Sequence, residues 1–109
     1  MLQSRQMGDV ALSLTSAIIL QAIDSGKCYG FEIMDGTGLP SGTVYPALRR
    51  LENADLIRSD WKTSDNSESQ GPPRRYYVLT RIGGDALASA GERYPLVAHL
   101  KTAILSGRK

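Results

Sequence analysis

The residues that could support catalysis or metal binding are few and widely spaced. The chain has one cysteine, Cys28, and one histidine, His99, so it can form no internal disulfide and this pair cannot complete a structural zinc site. Gly36-Thr37-Gly38 lacks the further glycine and the lysine of a phosphate-binding loop. Glu32 and Asp35 are helical neighbours, which is typical of a solvated surface. No nucleophile, base and orienting group can be matched, and we expect no enzyme, cofactor or metal.

A second set of side chains suits nucleic acid. The formal net charge is +2, and basic residues are concentrated between Arg49 and Arg81. Acidic residues share that segment, so charge alone fits an ordinary solvated surface equally well. The distribution of these charges on the folded chain distinguishes a nucleic-acid surface from an ordinary solvated one, and that distribution depends on the helices and strands that carry them.

Hydrophobic spacing predicts three helices in the first half of the chain. The first runs from Val10 to Ser25, with apolar residues on a broad face and Gly26 as its terminator. The second covers Tyr29–Asp35, with Phe31 on its buried side, and the turn Gly36-Thr37-Gly38 follows. The third covers Ser41–Asn53. Ser41 is predicted as its N-cap and Leu39 as a hydrophobic staple, while Val44, Leu48 and Leu51 form its apolar stripe.

The second half predicts a hairpin and a last helix. Strands at residues 56–62 and 74–80 flank a polar loop that is longer than most hairpin loops. Thr80 caps a helix extending towards Ser106, with a kink or break near Pro95. Its apolar residues recur every three or four positions, and a small domain has little core left to cover such a stripe. A partner copy is the simplest cover, so we expect a homodimer.

Three helices followed by a hairpin are typical of a winged helix-turn-helix, whose third helix enters the DNA major groove. Small and hydrogen-bonding residues would face base edges there: Ser41, Gly42, Thr43 and Tyr45. Arg49 and Arg50 would meet phosphates, as would Arg74 and Arg75 in the wing. Each residue has a simpler role: Ser41 as a cap, Tyr45 as packing against the hairpin, Arg49 and Arg50 as surface charges, and Arg74-Arg75 as protection of an edge strand.

Three segments together resemble the PadR-type transcriptional regulators. Residues 29–33, YGFEI, resemble the Y-G-[FY]-E-I element of that family, and residues 41–52, SGTVYPALRRLE, resemble its recognition-helix signature, including Pro46. Residues 74–80, RRYYVLT, resemble its second wing strand and the start of its last helix. The resemblance covers residues 14–87 and is closest to the short subgroup, which has a single C-terminal helix.

The resemblance implies a mostly helical α+β fold and a bacterial repressor that binds a palindromic operator as a homodimer. Residues 1–8 show no pattern, and we expect a flexible arm there, followed by a winged helix-turn-helix at 9–80 and a C-terminal dimerisation helix at 81–109, kinked or broken near Pro95. The predicted DNA-contacting residues are Tyr29, Ser41, Gly42, Thr43, Tyr45, Arg49, Arg50, Lys62, Arg74 and Arg75. The predicted dimer interface comprises Leu14, Ile18, Leu87, Ala90, Tyr94, Val97, Leu100 and Ile104.

The sequence departs from the family at two places. Asn53-Ala54-Asp55 stands where a glycine usually precedes the Leu-Ile pair, which leaves the conformation of that turn open. The last helix lacks the tryptophan that serves some short members as a ligand platform, so an effector site cannot be transferred residue by residue. A small hydrophobic or aromatic effector at the dimer interface remains an expectation, and Trp61 is interpreted as packing, with a ligand role as the alternative.

Two other functions fit a winged helix. A module that binds protein instead of DNA would expose an apolar patch on the third helix, where this chain is polar and flanked by arginines. A metal sensor needs more ligands than one cysteine and one histidine. No apolar run reaches membrane-spanning length and the first residues lack a secretory signal, so we expect a cytoplasmic protein without membrane contact.

Overall fold

The computed structural model describes residues 12–62 and 74–97. Within them the chain forms six elements in order: α1 (Leu14–Asp24), α2 (Gly30–Thr37), α3 (Ser41–Asn53), β1 (Ile57–Lys62), β2 (Arg74–Leu79) and α4 (Arg81–Arg93). The predicted α+β architecture, three helices followed by a hairpin and a further helix, is confirmed.

Helix α1 lies at the centre of the fold and contacts α2, α3, α4 and β2. Ala17, Ile19 and Leu20 are fully buried, as the broad apolar face predicts. The helix begins at Leu14, four residues later than expected, because the Ser13 hydroxyl accepts a 3.1 Å hydrogen bond from the Ser16 N–H and caps it. Gly26 ends the helix as predicted, with a φ of 101°.

Helix α2 begins and ends differently from the prediction. Tyr29 lies at its N-cap, and the Glu32 carboxylate accepts hydrogen bonds from the backbone N–H groups of Cys28 (2.9 Å) and Tyr29 (3.3 Å). Glu32 is therefore a capping residue and not merely a solvated charge. The helix continues to Thr37 because Gly38, with a φ of 77°, is the residue that takes the left-handed conformation.

Helix α3 has the predicted limits, and Val44, Leu48 and Leu51 are buried as expected. The predicted capping role of Ser41 is wrong. Pro40 occupies the N-cap, and its carbonyl accepts from the N–H groups of Thr43 and Val44. Ser41 is the first helical residue, so its exposed side chain is not committed to a cap.

The turn after α3 is closed by Asp55 in the left-handed region, with a φ of 66°. The N–H of the following residue, Leu56, bonds to the Leu51 carbonyl at 3.0 Å, which is the six-to-one bond of a glycine-type helix terminus. Asp55 thus takes the conformation usually given to glycine, and Asn53 remains helical.

The hairpin is antiparallel, with Ile57 opposite Leu79, Trp61 opposite Arg75, and Lys62 opposite Arg74. An isolated antiparallel bridge borders β2: Tyr29 pairs with Tyr76, and the Tyr77 N–H donates to the Cys28 carbonyl at 2.8 Å. The start of α2 is therefore fastened to the wing by backbone hydrogen bonds.

Thr80 caps α4 as predicted: its hydroxyl accepts from the Gly83 N–H at 2.9 Å and donates to the Asp55 carbonyl at 2.6 Å. Helix α4 ends at Arg93, Tyr94 is non-helical, and residues 95–97 are helical again. The Tyr94 hydroxyl donates to the Leu12 carbonyl at 3.2 Å, which anchors the interruption to the chain two residues before α1.

Candidate nucleic-acid interface

The outer face of α3 carries most of the predicted base-reading residues. Ser41 and Gly42 are exposed and Thr43 is half-buried, so the first turn is narrow and lined by small groups. Arg49 and Arg50 are exposed further along the helix, and their guanidinium groups form no hydrogen bond or ion pair with any residue of the described ranges. Such a face allows close approach of a partner and offers it unpaired cations.

Tyr45 differs from its neighbours because its ring is packed and not free. A Cβ built on Gly30 would lie 2.6 Å from the Cζ of Tyr45 and would also clash with its hydroxyl. The ring therefore rests on the backbone at the start of α2, and 44% of the residue stays exposed. The glycine of the YGFEI segment is needed here for close approach, and Tyr45 packs against α2 while facing solvent.

An aromatic cluster borders this contact. Tyr29 stacks on Phe31 with ring centroids 5.7 Å apart, and Tyr29 meets the edge of Tyr76 at 6.5 Å. The Arg74 guanidinium lies 5.2 Å from the centroid of the Phe31 ring, a cation–π arrangement. Phe31 was expected on the buried side of α2, but it is 49% exposed because Ile33 supplies the core contact instead. No spacing rule identified Phe31 as a surface residue of this site.

Between α2, α3 and β2 these side chains line a groove of 390 Å³. Its lining comprises Tyr29, Gly30, Phe31, Tyr45, Arg74, Arg75 and Tyr77. Burial raises the pKa of the Tyr77 hydroxyl, Arg75 lowers it, and Glu52 and Tyr45 raise it further. The net pKa is raised, so this phenol stays protonated at neutral pH and the groove combines neutral aromatic surfaces with arginine cations.

Arg75 connects the wing to α3. Its guanidinium lies 3.6 Å from the Glu52 carboxylate and 5.2 Å from the centroid of the Trp61 ring, and its Nε donates to the Ser59 hydroxyl at 2.9 Å. Arg75 was predicted simply as a phosphate ligand. The structure adds three protein contacts, so this arginine is held in place where Arg49 and Arg50 are not.

Lys62 and Arg74 lie directly opposite each other at the end of the hairpin that leads into residues 63–73. Both are exposed, and like charges in such a pair destabilise a sheet. An anion bound beside them would relieve that repulsion. The interface residues predicted from sequence therefore lie on three neighbouring elements, namely the start of α2, the face of α3 and the wing.

The predicted dimer residues are divided. Leu14 is exposed and Ile18 is half-buried, whereas Leu87, Ala90 and Val97 are buried inside this chain. A partner copy was expected as the simplest cover of the stripe, but these three side chains are already buried within one chain, and α4, which carries Leu87 and Ala90, packs against α1. Tyr94 is half-buried, and Leu100 and Ile104 lie outside the described residues. Leu96 was not predicted, yet it is 73% exposed.

Outside this surface, the described residues offer little reactive or metal-binding chemistry. Burial raises the pKa of the Cys28 thiol and Glu32 raises it further, which keeps it protonated and weakly nucleophilic at neutral pH. Across residues 12–62 and 74–97 no cluster of three potential metal ligands forms. In the same part of the chain no helix has the length and apolar character to cross a bilayer.

Comparison with known proteins agrees with this geometry. No curated protein matches the sequence. A PadR family transcription regulator from Clostridium difficile R20291 shares 29% identity with a TM-score of 0.64, over 86% of this chain and all of that one. A PadR-like transcription factor from Bacteroides fragilis shares 30% identity with a TM-score of 0.60, over 84% and 88% of the two chains. A PadR-like transcriptional regulator from Bacillus cereus shares 28% identity with a TM-score of 0.61, over 85% and 92%.

The family model for PadR-like transcriptional regulators matches residues 19–89, from the middle of α1 into α4. This span contains α2, α3 and both wing strands, which carry the aromatic groove and the exposed arginines. Members of this family are transcription regulators and not enzymes. The chain belongs to the PadR-like family of DNA-binding transcriptional regulators.

Proposed function

We propose that this regulator binds a palindromic operator as a homodimer and represses transcription. In each subunit, the first turns of α3 enter the major groove and the start of α2 and the wing hold the flanking backbone. The observation that carries the proposal is the outer face of α3, where small residues precede Arg49 and Arg50, two exposed cations with no partner among the described residues.

The division of labour follows from the position of each group. Thr43, on the first turn of α3, suits a base edge, whereas Arg49, Arg50, Lys62 and Arg74 suit phosphates. The groove beside Phe31 and Tyr45 extends this surface, because its aromatic faces can pack on deoxyribose while Arg74 pairs with phosphate. Contacts from α3, from the wing and from the groove beside Phe31 would together fix the position of α3 in the major groove.

Selection of bound sequences from random duplex DNA tests this proposal. We expect an inverted repeat, because a twofold dimer reads two half-sites. A variant with Arg49 and Arg50 replaced by alanine is the matched control, since it keeps the apolar face of α3 and should enrich nothing. Enrichment of a single unrepeated site would contradict binding as a dimer, and no enrichment would reject sequence-specific binding.

A protein-binding module is the alternative, and the exposed aromatic side chains Phe31, Tyr45 and Trp61 favour it. Two of these rings are covered by guanidinium groups, which makes the surface cationic as well as aromatic. The same selection separates the two functions, because a protein-binding surface enriches no duplex sequence.

Dimerisation through the last helix and α1 is part of the proposal. Leu14 and Leu96 are exposed apolar side chains on these two parts of the chain, and a partner would remove them from water. Sedimentation should show a dimer for the native chain and a shift towards monomer for Leu96→Glu. Leu96→Ala is the control, as it removes contact area without adding charge. A native chain that stays monomeric at micromolar concentration would contradict this.

We also propose a small hydrophobic or aromatic effector near this interface. A groove of 420 Å³ runs between α1 and α4, with Leu87, Ala88 and Val97 on its wall. A bound effector should raise the melting temperature and release the selected operator. Ala88→Trp fills the groove and should abolish both responses, while an aromatic panel without either effect on the native chain would argue against an effector.

A further inference from the structure

In the wing, the predicted DNA contact Arg75 is connected to two side chains, Ser59 and Glu52, that the predicted DNA contacts do not include. The Ser59 hydroxyl on β1 donates to Oε2 of Glu52 on α3 at 2.6 Å. The same hydroxyl accepts from Nε of Arg75 on β2 at 2.9 Å. Ser59 is thus the link between a carboxylate and a guanidinium that come from two different elements.

These contacts use only part of the Arg75 side chain. A guanidinium has five N–H donors, and Ser59 takes the one on Nε. The Nη2 atom lies 3.6 Å from Oε2 of Glu52, which is an ion pair but too long for a hydrogen bond. The side chain is 42% exposed, and its terminal N–H groups form no hydrogen bond with the described residues, so they suit the paired hydrogen bonds that a phosphate accepts.

The Trp61 ring completes the arrangement. The guanidinium lies over this ring, 5.2 Å from its centroid. Arg74, the next residue, also lies against a ring, that of Phe31, but its guanidinium forms no hydrogen bond or ion pair with any residue of the described part of the chain. The two adjacent wing arginines therefore differ in how firmly they are held.

We propose that Ser59 and Glu52 are positioning residues for Arg75, holding its Nε so that its Nη groups are presented to a DNA phosphate before binding. A long side chain that is already ordered loses little further conformational freedom when it binds. This inference rests on the proposed DNA-binding function. Neither Ser59 nor Glu52 needs to touch DNA, and both act through Arg75.

A double-mutant cycle on the selected operator tests the proposal. We expect Arg75→Ala to weaken binding about tenfold and Ser59→Ala about fivefold, because the latter removes a hydrogen bond to a charged group. The double variant should bind no worse than Arg75→Ala alone, since Ser59 has nothing left to position. Ser59→Thr keeps the hydroxyl and should bind like the native chain.

Salt dependence separates positioning from direct binding of phosphate. Arg75→Ala should reduce the slope of log affinity against log salt by about 0.9 for each phosphate that the arginine no longer neutralises. Ser59→Ala should leave the slope unchanged, because the arginine still reaches its phosphate, with lower affinity. The matched control combines Ser59→Ala with Arg74→Ala, where the two reductions in affinity should multiply.

Several outcomes would overturn the inference. An equal loss of affinity from Ser59→Ala with and without Arg75 would show that the hydroxyl is only structural. Tighter binding by Glu52→Gln would show that the carboxylate competes with phosphate. No effect of Arg75→Ala would remove Arg75 as a ligand while leaving the proposed function intact. If the native chain selects no duplex, the proposed function fails and this inference fails with it.

Circular dichroism melting keeps the cycle interpretable. If Ser59→Ala does not fold, Glu52→Gln replaces it, because the amide oxygen can still accept from Ser59 while the charge is removed. Glu52→Gln should weaken binding by native Arg75 and have no effect in Arg75→Ala. An equal weakening in both backgrounds contradicts the proposal.

Discussion

Gly83 packs directly against the backbone of Leu56: a Cβ built on Gly83 would lie 2.9 Å from the Leu56 carbonyl carbon and closer still to its oxygen. This contact lets the start of α4 lie on the turn that leads into β1. The Thr80 N–H also bonds to the Leu56 carbonyl, at 3.1 Å. The start of α4 is therefore held against the turn after α3 by backbone contacts.

Gly83→Ala should destabilise the chain by about 1–3 kcal/mol, because the backbone and not a flexible side chain must move. Gly84 is the matched control in the same helix turn, as a Cβ there meets nothing within 4 Å. Gly84→Ala should stabilise by about 0.5–1 kcal/mol through helix propensity. Urea denaturation measures both, and equal effects at the two positions would contradict the packing described.

Asp55 holds the left-handed turn after α3 with a φ of 66°. Asp55→Gly should raise the free energy of unfolding by about 0.5 kcal/mol, because glycine takes this conformation without the steric cost of a Cβ. Asp55→Val should lower it by about 1–2 kcal/mol, since a β-branched side chain is a poor fit there. Thermal melts rank the three chains, and a Val variant as stable as the native chain would show that the turn can relax.

Thr43 and Arg50 should affect DNA binding in different ways. Thr43→Val removes one hydroxyl of nearly equal shape and should cost about 1–3 kcal/mol on the operator if it holds a base contact, with little change on random duplex. Arg50→Ala should weaken binding to both duplexes and flatten the salt dependence. Titrations of both variants on both duplexes provide the test, and a reversed pattern would exchange their assigned roles.

Stability should fall at alkaline pH. Burial raises the pKa of Cys28 above its ordinary value of 9.0 and that of Tyr77 above 10.0. The folded chain therefore keeps protons that the unfolded chain has released, so this stability is present below pH 9 and is lost as pH rises further. Urea denaturation at neutral and alkaline pH measures the loss of stability. The loss of stability at alkaline pH should be smaller in Tyr77→Phe. A loss as large as that of the native chain would show that the Tyr77 hydroxyl does not cause it.

Sequence periodicity was sufficient for most of the fold, and it failed where contacts between elements decide the outcome. The stripe Val44, Leu48 and Leu51 is local in origin, and it predicted α3 correctly. Phe31 has the same apolar character as Ile33, and only the packing of α2 decides which of them faces the core. A serine before a helix is a reasonable cap, yet Pro40 supplies the N-cap carbonyl in place of Ser41.

The candidate site shows the same limit. Arginine type and clustering identified Arg74 and Arg75 together, but their different surroundings depend on hairpin register and on the approach of Glu52 from α3. Ser59 forms hydrogen bonds with both Glu52 and Arg75, yet it is 7 positions from the first and 16 from the second in sequence. The apolar stripe of α4 was visible, but spacing could not show that α1 already covers Leu87 and Ala90.

Trp61 is the single tryptophan of the chain, and it lies on the wing, 57% exposed. Its emission therefore depends on its exposure to water and on the nearby Arg75 of β2. It does not depend on the packing around α1. A melt followed by selective excitation of tryptophan, at the long-wavelength edge where tyrosine hardly absorbs, would record separation of the hairpin. Unfolding of the core has to be followed by a backbone signal such as circular dichroism. A difference between the tryptophan and backbone melting curves would show how independently of the core the wing unfolds.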